Sequence, residues 1–335
     1  DFDTSLFASQ YQRAVMCVSD ILNNNDKVKL ENETGFDIEI SNTVSFLGGR
    51  GTGKTSAMFS FSKFLREYGQ YIKLTESGEM GESYKIRNDV TFLTLDAILA
   101  SMLGHNEGVL EIVLARMWDY YEQIEKEGRR NEKSLISKER MAKEFSALKS
   151  DYQNYLEMSK PTQLTTIKQL HNLAGSMNLR KTFRDFVSLF LDTILEGTSP
   201  KKDKYLVLMI DDVDMAGLNS YRILEQIHLF LGVPNIIILI TADIERLNKI
   251  CENHFNEVYF NHKFHVQNDE YKIDTRLKET LANEYLSKII ALNLRVYLPE
   301  IHTLNLMTGS SDCESINKKI LNRIFNIFLL MDSQS

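Results

Sequence analysis

Two short apolar runs constrain this chain more than any other feature. Residues 205–210 (YLVLMI) lead into Asp211-Asp212, and residues 236–240 (IIILI) lead into Thr241-Ala242-Asp243. Neither run alternates with polar residues, so both faces of each strand must be buried. Strands of that kind belong to parallel sheets covered by helices on both sides. Between them, Ile223, Leu224, Ile227, Phe230 and Leu231 recur at a helical period, closed by Gly232 and Pro234. Further strands are expected at 41–47 and 90–95. One amphipathic helix is expected on Ala57, Met58, Phe61, Phe64, Leu65 and Tyr68, ended by Gly69. A second runs over Val109, Leu110, Val113, Leu114, Met117 and Trp118, and a third covers 183–194. Segment 119–160 interleaves acids and bases, as a solvated helical face does. Strand signals fade after about residue 260, and 277–291 and 316–331 read as helices.

The first 40 residues read as a helical lead-in, with a short helix around 11–22 and a polar turn at 23–26. The expected architecture is a three-layer α/β domain with a parallel central sheet. Its core spans 41–265 with a helical insertion at about 119–200, and 266–335 form a helical C-terminal lid.

Composition limits the function classes. Of 335 residues, 43% are hydrophobic and 25% charged, the balance of a folded globular protein. Acids outnumber bases 46 to 39, for a net charge of −7, which argues against a surface built to coat nucleic acid. No apolar stretch approaches the roughly 20 residues that cross a bilayer. Cys17, Cys251 and Cys313 are far apart and odd in number, the pattern of reduced thiols in a cytoplasmic protein. No secretory pattern is visible at the start. The chain begins at Asp1 and stops soon after the apolar segment 324–331, as a piece of a longer protein would.

The chemistry centres on Gly48-Gly49-Arg50-Gly51-Thr52-Gly53-Lys54-Thr55-Ser56. Two glycines with four residues between them, followed by Lys-Thr, form the P-loop pattern, here between an expected strand and an expected helix. Background glycine frequency makes this a chance event in about one chain in a hundred of this length. The glycines let successive N–H groups face one centre, and the following helix adds its positive end. The pattern assigns Gly48–Ser56 to ATP, Lys54 to the β- and γ-phosphates, and the Thr55 hydroxyl to Mg²⁺. Asp211, at the end of a buried strand, is the second expected Mg²⁺ ligand, and Asp212 is placed to polarise the attacking water. The plain alternative is a turn after a core strand. Thr241 is the candidate γ-phosphate sensor, against the reading of a threonine that merely ends a strand.

Four arginines are candidates to complete the site from a lid or a neighbouring subunit: Arg222, Arg246, Arg276 and Arg295. Arg295 is preferred because it follows the helix of the lid region. Cys251, His254, His262 and His265 have a spacing that zinc could use, but the interleaved Phe255, Phe260 and Phe264 favour packing. A GTPase is disfavoured, because Asn248-Lys249 is followed by Ile250-Cys251 rather than by the aspartate that reads guanine.

With the glycine loop, Asp211-Asp212 and the Thr241 strand in this order, the chain resembles the AAA+/STAND branch of P-loop ATPases. Residues 206–214 (LVLMIDDVD) and 285–298 (YLSKIIALNLRVYL) look like the KAP group and related large bacterial antiphage-defence ATPases. A narrower resemblance is to the ATPase subunits of RADAR antiviral systems. It implies a homo-oligomeric ring that works with an effector such as a deaminase. A nuclease effector, a binding scaffold with little turnover, and a nucleic-acid-stimulated motor are the alternatives. Asp212 stands where most AAA+ enzymes carry Glu, which leaves the hydrolysis rate open. There is no clear arginine-finger motif.

Overall fold

The structure, a computed structural model, describes residues 5, 7–31, 40–68, 86–104, 108–126, 134–158, 166–196, 202–217, 219–257 and 275–300. The side chains of 28–31, 134–137, 158, 166–177 and 275–278 are outside that description. The helices are α1 (Ala8–Glu31), α2 (Lys54–Arg66), α3 (Val109–Lys126), α4 (Ser134–Met158), α5 (Thr166–Ile194), α6 (Asn219–Gln226), α7 (Ile244–Phe255) and α8 (Thr275–Ile289). The strands are β1 (Thr43–Leu47), β2 (Val90–Thr94), β3 (Ile98–Leu99), β4 (Asp203–Asp211), β5 (Ile236–Ala242) and β6 (Arg295–Tyr297).

The sheet is six-stranded in the order β2-β4-β5-β1-β6, with β3 also paired to β4, and every pairing is parallel. All strand C-termini therefore emerge at one edge. Each central strand divides its side chains between two cores, as the pleat requires. Leu206, Leu208 and Ile210 of β4, with Ile236, Ile238 and Ile240 of β5, pack into a core that includes α3, α5, α7 and α8. Tyr205, Val207, Met209, Ile237, Leu239, Val44 and Phe46 face the opposite way, toward α1 and α2. This is the parallel α/β layering expected from the two apolar runs. Among the described residues no helix is long and apolar enough to cross a membrane.

Two expectations need correction. Rather than ending near residue 22, α1 runs straight through the expected turn at 23–26, and it buries Val18, Ile21 and Leu22 in the second core. Asn25 is itself buried, and Asp26 pairs with Arg87 beside β2, so tertiary contacts hold the polar segment helical. The expected helical insertion at about 119–200 packs on the sheet. Phe183, Phe186, Val187, Phe190 and Leu191 of α5, and Met141 and Leu148 of α4, share the first core with the sheet. Finally, the sheet extends past residue 265. β6 lies within the expected lid and pairs with β1 through Ser45↔Arg295 and Leu47↔Tyr297. The expected helix at 316–331 lies outside the described residues.

Candidate functional site

The parallel register brings three strand ends together. Leu47 of β1 is opposite Ala242 of β5, and Ile210 of β4 is opposite Ile240. The Gly48 N–H continues the ladder by donating to the Ala242 carbonyl at 3.3 Å. The glycine-rich loop thus starts at β5's end, and β5 separates it from the end of β4.

Within the loop, two glycine positions are dictated by geometry. A Cβ on Gly48 would lie 2.7 Å from Thr52 Oγ1 and 3.2 Å from the Leu298 carbonyl. Gly53, the residue before α2, has φ of +85°, and a Cβ there would lie 2.9 Å from the Phe7 ring. Gly51 also has positive φ, at +82°. The buried Thr52 hydroxyl donates to the Gly49 carbonyl at 3.0 Å. Lys54 opens α2 and folds back, its Nζ donating to the carbonyls of Gly48 and Gly49, both at 2.9 Å. Arg50 and Ser56 are exposed.

Thr55 Oγ1 donates to Asp211 Oδ1 at 3.0 Å, joining α2 to the end of β4. Thr241 Oγ1 donates to the same Asp211 oxygen at 2.5 Å and accepts the Asp212 N–H at 2.8 Å. Asp211 and Thr241 are both buried. Asp212 takes a left-handed conformation, φ 55° and ψ 47°, which aspartate tolerates better than most residues. The structure therefore brings Gly48, Gly49, Thr52, Lys54, Thr55, Asp211, Asp212 and Thr241 to one edge of the sheet.

Arg295 is not among them. It starts β6 two positions before Tyr297, and its Nε donates to the Ile290 carbonyl at 3.0 Å, beyond the C-terminus of α8. Within one chain it serves to join α8 to the sheet. Arg222 sits on α6, and the side chain of Arg276 lies outside the described residues. Cys251 is buried in the first core, and burial pushes its thiol up to about 12. His254 stacks on Tyr221 with ring centroids 3.5 Å apart, and burial lowers its pKa. His262 and His265 lie outside the described residues. Among the described residues no group of three or more His, Cys, Asp or Glu side chains is placed to hold a metal ion.

Two features escape sequence reasoning. Asp214, on the turn Val213–Met215 after Asp212, is 8% exposed, and its Oδ1 has no hydrogen-bond partner among the described residues. Burial raises its pKa, opposed by the backbone N–H groups of Asp243 and of Asp214 itself and by the charges of Lys54 and Arg246. Nothing in the sequence marks this carboxylate as buried, because the packing of the turn against β5 and α7 decides it. The second feature is Asp243, whose side chain accepts from the N–H groups of Glu245 and Arg246 and caps α7. An Asp before a helical pattern was the available signal.

A scan against protein-family models and a search of curated proteins each returned no match.

Proposed function

We propose that the chain binds Mg·ATP at this edge of the sheet and hydrolyses it as a slow switch. The observation that carries the reading is the meeting of the Thr55 and Thr241 hydroxyls on Asp211 Oδ1, beside the loop that Lys54 closes. The residues fit a polyphosphate and a divalent cation. Lys54 rests on two neutral carbonyls, and an anionic phosphate is a stronger partner for an ammonium. Positive φ at Gly51 and Gly53 is the kind of backbone that turns N–H groups toward an anion. Thr55 and Asp211 offer oxygen ligands of the type Mg²⁺ prefers.

Lys54 and the N-terminus of α2 would hold the β- and γ-phosphates. Thr55 and Asp211 would hold Mg²⁺, which when bound neutralises charge on the phosphate oxygens. Asp212, at the mouth of the turn, would orient the attacking water and accept its proton. Thr241 would act as a positioning residue, since its hydroxyl bridges Asp211 and the Asp212 N–H. Assembly into a homo-oligomeric ring, and action on a deaminase or nuclease effector in bacterial antiviral defence, are proposed on the family resemblance alone.

Calorimetry with Lys54→Ala tests the reading. Loss of charge-assisted contacts to phosphate should weaken ATP binding about tenfold or more. Unchanged affinity would count decisively against it. A second reading, ATP binding with little turnover, is favoured by one observation: the Thr241 hydroxyl proton is already committed to Asp211. Binding without phosphate release, in the assembled protein, would select it.

A further inference from the structure

Arg246 lies in the first turn of α7, just past the strand that carries Thr241. Its side chain is 49% exposed. Its Nη1 is 3.7 Å from Asp214 Oδ2 and its Nε is 3.9 Å from Asp243 Oδ2. Both separations exceed the roughly 2.7–3.2 Å of a good N–H···O bond. The one hydrogen bond it makes among the described residues is to Met215 Sδ, at 2.9 Å, a weak acceptor. A guanidinium with five donors is thus held near two carboxylates without a hydrogen bond to an oxygen. Asp214, its buried partner, lies two positions after Asp212, whose N–H is bonded to Thr241 at the end of β5. Arg246 and Asp214 therefore lie at the same end of the sheet as the glycine loop, whose first N–H bonds the Ala242 carbonyl of that strand.

We propose that Arg246 is a second phosphate-binding cation of this site, contributed by the same chain, which leaves Asp214 and Asp243 to engage the terminal phosphate of a bound nucleoside triphosphate. The proposal rests on the nucleotide reading above. Arginine suits the role because its planar fork binds two phosphate oxygens at once. Its present partners are loose, so exchanging them for a doubly hydrogen-bonded phosphate is favourable. Asp214 and Asp243 then serve as a resting position that keeps the side chain near the site.

The contact is made only to the terminal phosphate, so its signature is discrimination between ATP and ADP. Arg246→Ala should weaken ATP binding, measured by calorimetry with Mg²⁺, by about tenfold or more, while ADP affinity changes by less than about twofold. Arg246→Lys should recover part of the loss, because it restores charge without the fork. Thermal unfolding verifies that each variant folds, and Arg246→Gln carries the same test if the alanine variant does not. Equal losses for ATP and ADP, or no loss for either, would overturn the role of Arg246 and leave the nucleotide reading intact. A wild-type protein that binds neither nucleotide, or a Lys54→Ala variant that binds both as well as wild type, would overturn the nucleotide reading and this proposal together.

Discussion

Thr241 Oγ1 donates to Asp211 Oδ1 at 2.5 Å, although the two residues end different strands. The same hydroxyl oxygen accepts the N–H of Asp212 at 2.8 Å, so one side chain of β5 fixes both acids that follow β4. Because Thr55 shares the Asp211 oxygen, the start of α2 is tied into the same arrangement. The three segments meet because β5 lies between β1 and β4 and all three run in parallel. The geometry of the acids is thus set by a neighbour's hydroxyl.

Thr241→Val should expose the value of that bridge. Valine fills the space but leaves the Asp212 N–H without its acceptor and removes one donor from a buried carboxylate. The expected loss is about 1–3 kcal/mol in denaturant unfolding, while Thr241→Ser retains most of the stability. Equal midpoints for wild type and the valine variant would show that the bridge contributes nothing.

Asp212→Asn should separate binding from turnover. Asp211 and Lys54 are untouched, so ATP and Mg²⁺ binding should persist. Single-turnover hydrolysis should fall by roughly 10²–10⁴, the usual effect of losing a positioned general base. Matching rates in the two proteins would remove Asp212 from the mechanism.

Gly51 and Gly53 form a natural contrast. Both have positive φ, but a Cβ at Gly51 meets nothing within 4 Å, whereas one at Gly53 would meet Phe7 at 2.9 Å. Gly51→Ala should therefore cost only the backbone strain, about 1–2 kcal/mol. Gly53→Ala should cost more, and adding Phe7→Ala should recover the difference but not the backbone part. A double-mutant cycle by chemical unfolding measures this coupling. Additive effects would mean that the Phe7 contact gives way without cost.

Cys251 has no exposed surface, and burial, reinforced by Glu252, pushes its thiol up to about 12 from an ordinary 9.0. At pH 8 it should stay protonated and react with iodoacetamide far more slowly in the native chain than in urea, as read by mass spectrometry. The folded state holds this proton more tightly than the unfolded state. Its stabilising contribution is full below pH 9 and declines as pH rises toward 12. Labelling of the native protein at the rate of a free thiol would contradict the burial.

The strand runs, the helix faces of α2, α3 and α6 and the glycine loop were legible in the sequence. They depend on periodicity and on residue types within one short stretch, which the chain carries wherever it folds. β6 was not legible: of its three residues only Val296 is buried, and so short a segment becomes a strand only because β1 offers it an open edge. The continuation of α1 through Asn23–Asp26 likewise depends on Arg87, some sixty positions away, which pairs with Asp26. At the site, the sequence named Lys54, Thr55, Asp211, Asp212 and Thr241, each at the end of a recognisable run. The sharing of one Asp211 oxygen by Thr55 and Thr241, the burial of Asp214 and the loose hold on Arg246 were decided by strand order and by packing between distant segments. Local sequence patterns choose secondary structure and the residues available at its ends. Only long-range pairing determines which of those ends meet, and so which side chains share a proton, a charge or a buried space.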